Sequence, residues 1–435
     1  MTLGIPSITA IKSFPGWRAL QHRNYRLWFG GQAVSVIGTW MQMVAQSWLV
    51  LSLTGDPFML GLVAAAQYSP VLVFGLFGGL VADGLPKRRV MMATQAVFMT
   101  LALVLFVLTA THVVEVWHVV AVAFCFGLAN AIDMPTRNSF SVEMVGRESV
   151  ANAVALNSAL FNAARIVGPA VAGLTIGAFD ISVAFLLNGL SYISVITGLF
   201  LMRETDLQSP PAMPRPVSVR AALASLGEGL GYVRRTPIVL LAVVLVGVVS
   251  TFGMNFTVMI PSLARDVLGT DASGYGFLMS ASGLGALIAA LRIAFGRRSQ
   301  PILIGLGALM LGVFEVLLGF SRFYPLSLLA MFLVGFGSVS MTATSNAAVQ
   351  LHVPDQLRGR VMSVYMTIFV GSTPIGSLIM GAMASRLGTD IAVMAGGAVS
   401  AGAAVVAIAW LRRILAADRR SAARVHDVRS ASIPG

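Results

Sequence analysis

The sequence is poor in charge and almost without cysteine. Charged residues make up 11% of the 435 positions and hydrophobic residues 57%, whereas about 25% of residues are charged in a typical soluble domain. This balance excludes a water-soluble globule. The single cysteine, Cys125, lies in an apolar run, which excludes an intramolecular disulfide and offers no metal-ligand set.

Signatures of catalysis are also missing. The chain has no Walker loop, no His-Glu-x-x-His and no Cys-x-x-Cys, and its five histidines are scattered at helix ends and loops. We therefore expect no enzyme activity, no cofactor, no metal centre and no ATP-driven step within this chain. Residues 1–26 carry cations without an apolar core or a cleavage site, so no cleavable signal peptide is predicted.

What the chain has instead is a series of long apolar runs. A run of about 20 residues crosses a bilayer core of roughly 30 Å. Such runs predict an all-α membrane protein with twelve spans, at 27–53, 57–84, 90–111, 117–141, 151–178, 182–202, 237–262, 272–295, 301–320, 325–349, 360–385 and 391–413.

The positive charge follows the loops between these spans. With the N-terminus inside, 25 of the 29 lysines and arginines fall on segments that face the cytoplasm. The outer loops instead carry the acids Asp56, Glu115, Asp180, Asp266, Asp271 and Asp390. Cytoplasmic loops of membrane proteins carry such an excess of cations. The net charge of +12 therefore indicates topology, with both termini cytoplasmic, and not nucleic-acid binding.

Composition and an internal repeat divide the spans six and six. The proline-rich stretch 204–220 reads as an extended linker, and Leu223–Tyr232 as an amphipathic helix at the inner surface. Six residue pairs share one offset of 208 positions, among them Asn138 with Asn346, which indicates duplication. The predicted domains are a cytoplasmic segment 1–26, a first six-helix bundle 27–203, the linker 204–236, a second bundle 237–413 and a basic tail 414–435.

Span one carries a polar face. Gln32, Ser35, Thr39, Gln42 and Gln46 follow at spacings of 3, 4, 3 and 4, which stack them along one side of a helix. Such a face lines a water-filled substrate cavity or bonds neighbouring helices together. We favour the cavity, because five polar residues exceed what packing needs.

Span four ends with Asn130, Asp133 and Arg137, followed by Glu143. Asp133 and Arg137 are spaced to pair on one helix face. The pair either exchanges a proton during transport or is a static ion pair near the inner boundary. We expect Pro135 to break the helix there and to admit water, which favours the static pair.

Span five carries Asn157, Asn162 and Arg165, followed by Gly168-Pro169 and Gly173. An arginine inside a bilayer is costly, so Arg165 is expected to face a cavity or a partner such as Asp133 or Asp83. Gly168 and Pro169 either form a functional motif or kink the helix so that it packs against its neighbours, and the residues alone favour neither.

The second half offers fewer polar candidates. Glu315 is the lone acid of span nine, and it either carries protons or is structural. The residues predicted to line the wall opposite span one are Asn255, Thr342, Asn346 and Tyr365.

The turn between spans two and three resembles the signature of the major facilitator superfamily. Gly79, Asp83 and the basic run Lys87-Arg88-Arg89 match it, while Gly84 and Pro86 depart from it. The resemblance implies two pseudo-symmetric six-helix bundles that rock around a central cavity. It also implies that Asp83 contacts the start of span eleven near 358–360 and latches the outward-facing state.

Further stretches narrow the resemblance. Gly168-Pro169 with Gly173 is similar to the helix-5 motif of facilitator antiporters, and Asn24-Tyr-Arg-Leu-Trp-Phe, Asn130 to Arg137 and Asn152 to Pro169 resemble the enterobactin-exporter-like clade of bacterial drug exporters. This implies export of a siderophore or drug-like amphipath from the cytoplasm by a proton antiporter, a monomer in the bacterial inner membrane. A lipid or lysolipid flippase, a nutrient importer and a non-transporting membrane scaffold or receptor remain alternatives.

Overall fold

The computed structural model describes residues 17–208, 219–296 and 300–431. All regular secondary structure in these ranges is helical. The long helices, in chain order, are α1 (Arg23–Thr54), α2 (Pro57–Gly84), α3 (Lys87–Ala110), α4 (Val116–Ala178), α5 (Ile181–Phe200), α6 (Val219–Arg235), α7 (Pro237–Phe252), α8 (Ala272–Phe295), α9 (Ile302–Phe320), α10 (Tyr324–His352), α11 (Asp355–Leu387) and α12 (Thr389–Ala431). Short turns of helix lie at Arg18–Gln21, Glu204–Asp206, Phe256–Ser262 and Leu263–Val267.

The membrane spans number twelve. Within the described ranges, 11 helices are long and apolar enough to cross a bilayer. One of them, α4, has 63 residues, far more than the roughly 20 that one crossing needs. Its backbone turns at Gly146, where φ is 71° and ψ is 170°, a conformation open to glycine because it lacks a Cβ. Helix α4 therefore holds the predicted fourth and fifth spans, and the prediction of twelve transmembrane helices is confirmed.

The expected break at Pro135 is wrong. Helix α4 continues through Pro135 and turns only at Gly146. Proline is tolerated inside membrane helices where neighbouring groups cover the carbonyl that it leaves unbonded. Gly78 of α2 lies so close to the Ala131 carbonyl that an added Cβ would be 1.9 Å from its oxygen. Helix α2 therefore covers the Ala131 carbonyl, which lies four residues before Pro135.

The chain divides into two compact units by its contacts. The first comprises Met1–Pro214, Phe256–Gly283 and Ser377–Thr389, and the second comprises Arg215–Asn255, Leu284–Gly376 and Asp390–Gly435, as far as these ranges are described. The first unit thus holds α1 to α5 together with two segments from later in the chain. The predicted bounds of the two bundles stay a prediction.

Glycines bring the later segments of the first unit against its earlier helices. A Cβ on Gly276 would lie 2.4 Å from the Pro169 carbonyl oxygen, and one on Gly61 would lie 2.3 Å from that of Ser377. Small residues allow membrane helices to approach at such distances. Ser280 Oγ adds a hydrogen bond of 2.6 Å to the Ile166 carbonyl, which holds this part of α4 beside α8.

The basic run at the start of α3 is bonded within the first unit. Lys87 Nζ contacts Glu143 Oε1 at 2.5 Å, and both side chains are about nine-tenths buried. Arg88 donates to the carbonyls of Leu199 and Phe200 at 2.8 and 2.9 Å. A cation at these last carbonyls of α5 is favourable because the C-terminal end of a helix carries partial negative charge.

The predicted latch falls outside what the structure describes. Gly79 and Asp83 belong to α2 by their backbone, but their side chains lie outside the described residues. So do the linker prolines between 210 and 216 and the cations Arg297 and Arg298. The contact of Asp83 with residues near 358–360 stays a prediction.

The second unit is built around closely packed glycines and one interrupted span. A Cβ on Gly337 of α10 would lie 2.6 Å from the Gly307 carbonyl oxygen of α9. In span seven, α7 of this unit ends at Phe252, and the short helix Phe256–Ser262 that completes the span belongs to the first unit. The stretch Leu223–Tyr232, predicted as a helix, lies within the longer helix α6. The hydroxyl of Tyr232 donates to the His352 carbonyl at 2.7 Å.

Candidate functional site

A cavity of about 480 Å³ lies among the helices of the first unit. Ligand pockets for drug-sized molecules fall in a range of about 300–1,000 Å³. Its lining combines aromatic and amide side chains with one charged residue and comprises Trp28, Gln32, Ser35, Val36, Thr39, Trp40, Met43, Gln67, Tyr68, Phe98, Phe126, Asn130, Met134, Arg137, Asn138, Asn157, Leu160, Phe161 and Tyr192. Such a wall suits a ligand with an apolar body and a polar end.

The polar face of α1 divides into two parts. Gln32, Ser35 and Thr39 lie on the cavity wall. Gln42 and Gln46 line a small adjoining pocket that shares Thr39, Met43, Gln67 and Phe126 with the cavity, and both also bond other helices. Gln42 Oε1 accepts a short hydrogen bond from the Asn188 amide of α5, and Gln46 Nε2 donates to Gln67 Oε1 of α2 at 3.0 Å.

Both interpretations of the polar face therefore describe part of it. The two partners, Asn188 and Gln67, are not among the residues predicted from the sequence, because each is a single amide in an apolar run. A lone amide inside a predicted span is itself a signal, since it needs a hydrogen-bond partner within the membrane.

Asp133 is fully buried behind the cavity wall and is surrounded by donors. Its Oδ1 accepts from Thr94 Oγ1 at 2.6 Å and from Gln95 Nε2 at 2.9 Å. Its Oδ2 accepts from Arg137 Nη2 at 2.5 Å. Three donors, one of them cationic, stabilise an ionised carboxylate. Thr94 and Gln95 belong to α3, so the sequence of α4 alone could not identify them as partners of Asp133.

Arg137 presents its positive charge to the cavity. Its side chain is 32% exposed, and Nη1 reaches Gln32 Oε1 at 3.4 Å. Its Nε has no hydrogen-bond partner among the described residues. In this pair, Asp133 is therefore buried in the protein, while Arg137 lines the cavity.

Glu143 lies apart from this pair. It is bonded to Lys87 at 2.5 Å, and its backbone carbonyl accepts from the Gln208 amide at 2.9 Å. Glu143 therefore joins α4 to Lys87 of α3 and to Gln208, in the segment after α5. It is not among the residues that line the cavity.

Arg165 forms no salt bridge within the described ranges. Its guanidinium carbon lies 6.0 Å from the centre of the Trp40 ring, a distance at which a cation is attracted to an aromatic face. Gly168 positions that ring, because a Cβ on Gly168 would lie 2.4 Å from Trp40 Cβ. Of the two partners expected from sequence, Asp133 bonds Arg137 instead, and the side chain of Asp83 lies outside the described residues.

The remaining candidates of span five are separated. Asn157 lines the cavity, and its Oδ1 accepts from the Tyr25 hydroxyl at 3.1 Å. Asn162 donates to the Ser158 carbonyl at 2.8 Å and is not part of the lining. Gly173 packs against Ala272, whose carbonyl oxygen would lie 2.8 Å from an added Cβ.

The candidates of the second half lie in the second unit. Tyr365 donates to the Thr342 carbonyl at 3.3 Å, which brings these two together. Asn255 Nδ2 donates to the Thr251 carbonyl at 2.7 Å, and Asn346 accepts from Gln350. Their predicted place opposite span one stays a prediction.

Known proteins with similar sequences are membrane transporters. A family model described as transmembrane secretion effector matches residues 15–432. The multidrug efflux pump Tap of Mycolicibacterium fortuitum is 29% identical over 373 residues, covering 82% of this chain and 88% of the relative. The staphyloferrin A transporter of Staphylococcus aureus is 23% identical over 368 residues, covering 83% and 90%.

Solved structures give the same fold. A crystal structure of the peptide transporter POT matches with a TM-score of 0.71 at 13% identity, covering 90% of this chain and 94% of that chain. At this identity the likeness concerns the fold alone, which is the twelve-helix major facilitator fold.

Proposed function

The chain belongs to the transmembrane secretion effector family of the major facilitator superfamily, and from this premise we propose that it exports an amphipathic small molecule from the cytoplasm in exchange for protons. It is a secondary membrane transporter and not an enzyme. The proposal concerns the direction, the class of substrate and the coupling ion. Transport would proceed by alternating access, in which the halves of the protein rock about the binding site.

The cavity of the first unit carries the proposal. Seven of its lining residues are aromatic, among them Trp28, Trp40 and Phe161, and they surround amides such as Gln32 and Asn130. Aromatic rings bury large apolar areas while losing little conformational freedom, and the amides orient a polar group. A siderophore or drug-like amphipath matches this combination, and the relatives named as a multidrug efflux pump and a siderophore transporter support it.

The charges around the cavity favour a substrate with an anionic group. No aspartate or glutamate is among its lining residues, whereas Arg137 is. Arg165 lies against the Trp40 ring without a carboxylate among the described residues. A planar guanidinium binds carboxylate-like oxygens in a two-pronged manner, so Arg165 offers recognition to an acidic end that reaches the Trp40 side of the wall.

Everted membrane vesicles test export and coupling together. Vesicles from cells that express the protein are energised so that the lumen becomes acidic, and a panel of siderophores, dyes and antibiotics is added outside. The proposal predicts accumulation of a panel member in the lumen together with release of luminal protons. Accumulation without proton movement would contradict the coupling, and phospholipid transfer in place of panel uptake would favour the flippase.

A variant pair ties the transport to this cavity. Gln32→Ala removes a hydrogen-bonding group from the wall, whereas Gln350→Ala removes one from the exposed end of α10, where Gln350 bonds Asn346. We expect only Gln32→Ala to raise the KM of the transported compound. Equal KM values for the two variants would place the substrate elsewhere.

A further inference from the structure

Glu315 is a buried acid whose charge has no compensation among the described residues. It lies in α9 and is 6% exposed. Its Oε2 has no hydrogen-bond partner, and none of the salt bridges of the described part includes it. An ionised carboxylate is costly in such a place. In this arrangement the group is accommodated as a neutral acid.

Two glycines make the space that the carboxyl occupies. A Cβ on Gly253 would lie 3.1 Å from Glu315 Oε2 and 2.6 Å from Ser400 Oγ. A Cβ on Gly397 of α12 would lie 2.8 Å from Glu315 Cβ. The side chain therefore extends from α9, past α12, towards the end of α7.

The carboxyl thus faces the interruption of span seven. Helix α7 ends at Phe252, and residues 253–255 are not helical. The amides of Gly253 and Met254 both bond the Val249 carbonyl, at 2.7 and 3.0 Å. The Asn255 Oδ1 atom beside them is buried without a donor among the described residues. Interrupted helices place unbonded backbone and polar groups inside the membrane, and transporters bind coupling ions at such points.

No second titratable group competes for this position within the described residues. Residues 237–262, which form α7 and the helix after it, contain none, and neither does the stretch 391–411 of α12. The titratable residues of α10 are Tyr324 and His352, at its two ends. Arg322, the charged residue nearest to Glu315 in the sequence, bonds Asp390 at 2.8 Å.

We propose that Glu315 and the interruption at 253–255 form the site at which the transported proton binds and is released. This inference rests on the proposed function, which it deepens by locating the coupling ion. Water supplies the proton, which forms an O–H bond at the Glu315 carboxyl and returns to water when that bond breaks. The neutral acid fits the closed packing against Gly253, whereas the carboxylate requires donors or water that a rearrangement of 253–255 would admit.

The test compares two transport modes in proteoliposomes. Glu315→Gln keeps the size and a neutral polar end but cannot bind a proton. We expect transport driven by a proton gradient to fall by about tenfold or more, while substrate exchange without a gradient stays within about twofold of wild type. The matched control is Glu115→Gln, which changes an exposed loop residue and should leave both modes unchanged.

Two results would overturn the proposal. One is gradient-driven transport by Glu315→Gln at the wild-type rate. The other is equal loss of both modes, which would make Glu315 a packing residue. If the glutamine variant does not fold, Glu315→Asp decides, because its shortened carboxyl should shift the pH profile of gradient-driven transport by about half a pH unit or more. An unshifted profile would also reject the site.

A readout that does not need transport separates this inference from the proposed function. The infrared C=O band of a protonated carboxylic acid, measured on purified wild-type protein at neutral pH, should be missing from Glu315→Gln. If the band is missing from Glu315→Gln but the wild-type protein shows no gradient-driven transport, the proposed export is refuted and the proton site is kept. An unchanged band would refute the proton site alone.

Discussion

Asp133 and Glu315 are both buried acids inside membrane spans, yet their surroundings are opposite. Asp133 is 0% exposed and accepts hydrogen bonds from Thr94, Gln95 and Arg137. Glu315 is 6% exposed and its Oε2 accepts none from the described residues. The same chemical group is thus held as an anion in one unit and accommodated as a neutral acid in the other.

The difference in surroundings indicates different roles for the two acids: Asp133 positions another side chain, and Glu315 binds and releases a proton. Moving the Asp133 carboxylate would leave Thr94, Gln95 and Arg137 without their acceptor, so these contacts hold it in place. The Oε2 atom of Glu315 accepts no hydrogen bond from the described residues, so no such bond is broken when it binds a proton. We infer that Asp133 positions Arg137 at the cavity, while Glu315 is free to titrate.

The largest effect expected from breaking this contrast is on stability. Asp133→Asn should lower the free energy of unfolding by about 3 kcal/mol, because removing one partner of a buried ion pair leaves the other charge and its donors uncompensated. Denaturation of the purified protein in detergent measures this. Adding Arg137→Gln should restore part of the loss, and a double variant less stable than the single one would contradict the pairing.

A smaller effect is expected at Arg165, which has no carboxylate partner among the described residues. Arg165→Gln should weaken the apparent affinity for a carboxylate-bearing substrate by about tenfold, which corresponds to about 1.4 kcal/mol, and should leave a neutral substrate of similar size nearly unchanged. Transport competition with an ester and its parent acid measures the ratio. Equal weakening of both compounds would assign Arg165 to packing against Trp40.

The smallest effect is expected at an exposed acid, Asp180, which precedes α5 and accepts from the Ser182 amide at 2.8 Å. Hydrogen bonding with Ser182 lowers its pKa below the ordinary 3.8. Asp180→Ala should cost about 1 kcal/mol as a lost helix cap. Because the folded pKa is lowered, this contribution is present above the ordinary value and disappears as the pH falls through the folded pKa.

Denaturation at neutral and acidic pH checks the sign of this effect. Asp180→Ala and wild type should differ at neutral pH and converge at acid pH. A difference that grows on acidification would contradict the assignment of Asp180 as a charged cap.

Much of the fold followed from the length of the apolar runs, because a bilayer imposes it on every span. The turn of α4 did not, since Pro135 is the stronger helix breaker by residue type, whereas α4 is covered by Gly78 near Pro135 and turns at Gly146. The site was predictable in part. Periodicity identified the polar face of α1, but it did not reveal that Gln42 and Gln46 bond Asn188 and Gln67.

The two acids illustrate the same limit. Asp133 and Arg137 were visible as a pair because their spacing is local, whereas Thr94 and Gln95 are brought in by another helix. Glu315 was visible as a lone acid. Its position opposite residues 253–255 was not, because neither the interruption of span seven nor its packing against α9 has a local signature.

The most direct measurement compares gradient-driven transport with gradient-free exchange for Glu315→Gln and for the double variant Asp133→Asn, Arg137→Gln. In Glu315→Gln, exchange should persist while the response to the proton gradient is lost. In the double variant, transport should be slower in both modes but still accelerated by the gradient. The opposite pattern, with the gradient response lost in the double variant and kept in Glu315→Gln, would place the coupling proton on Asp133 and contradict this account.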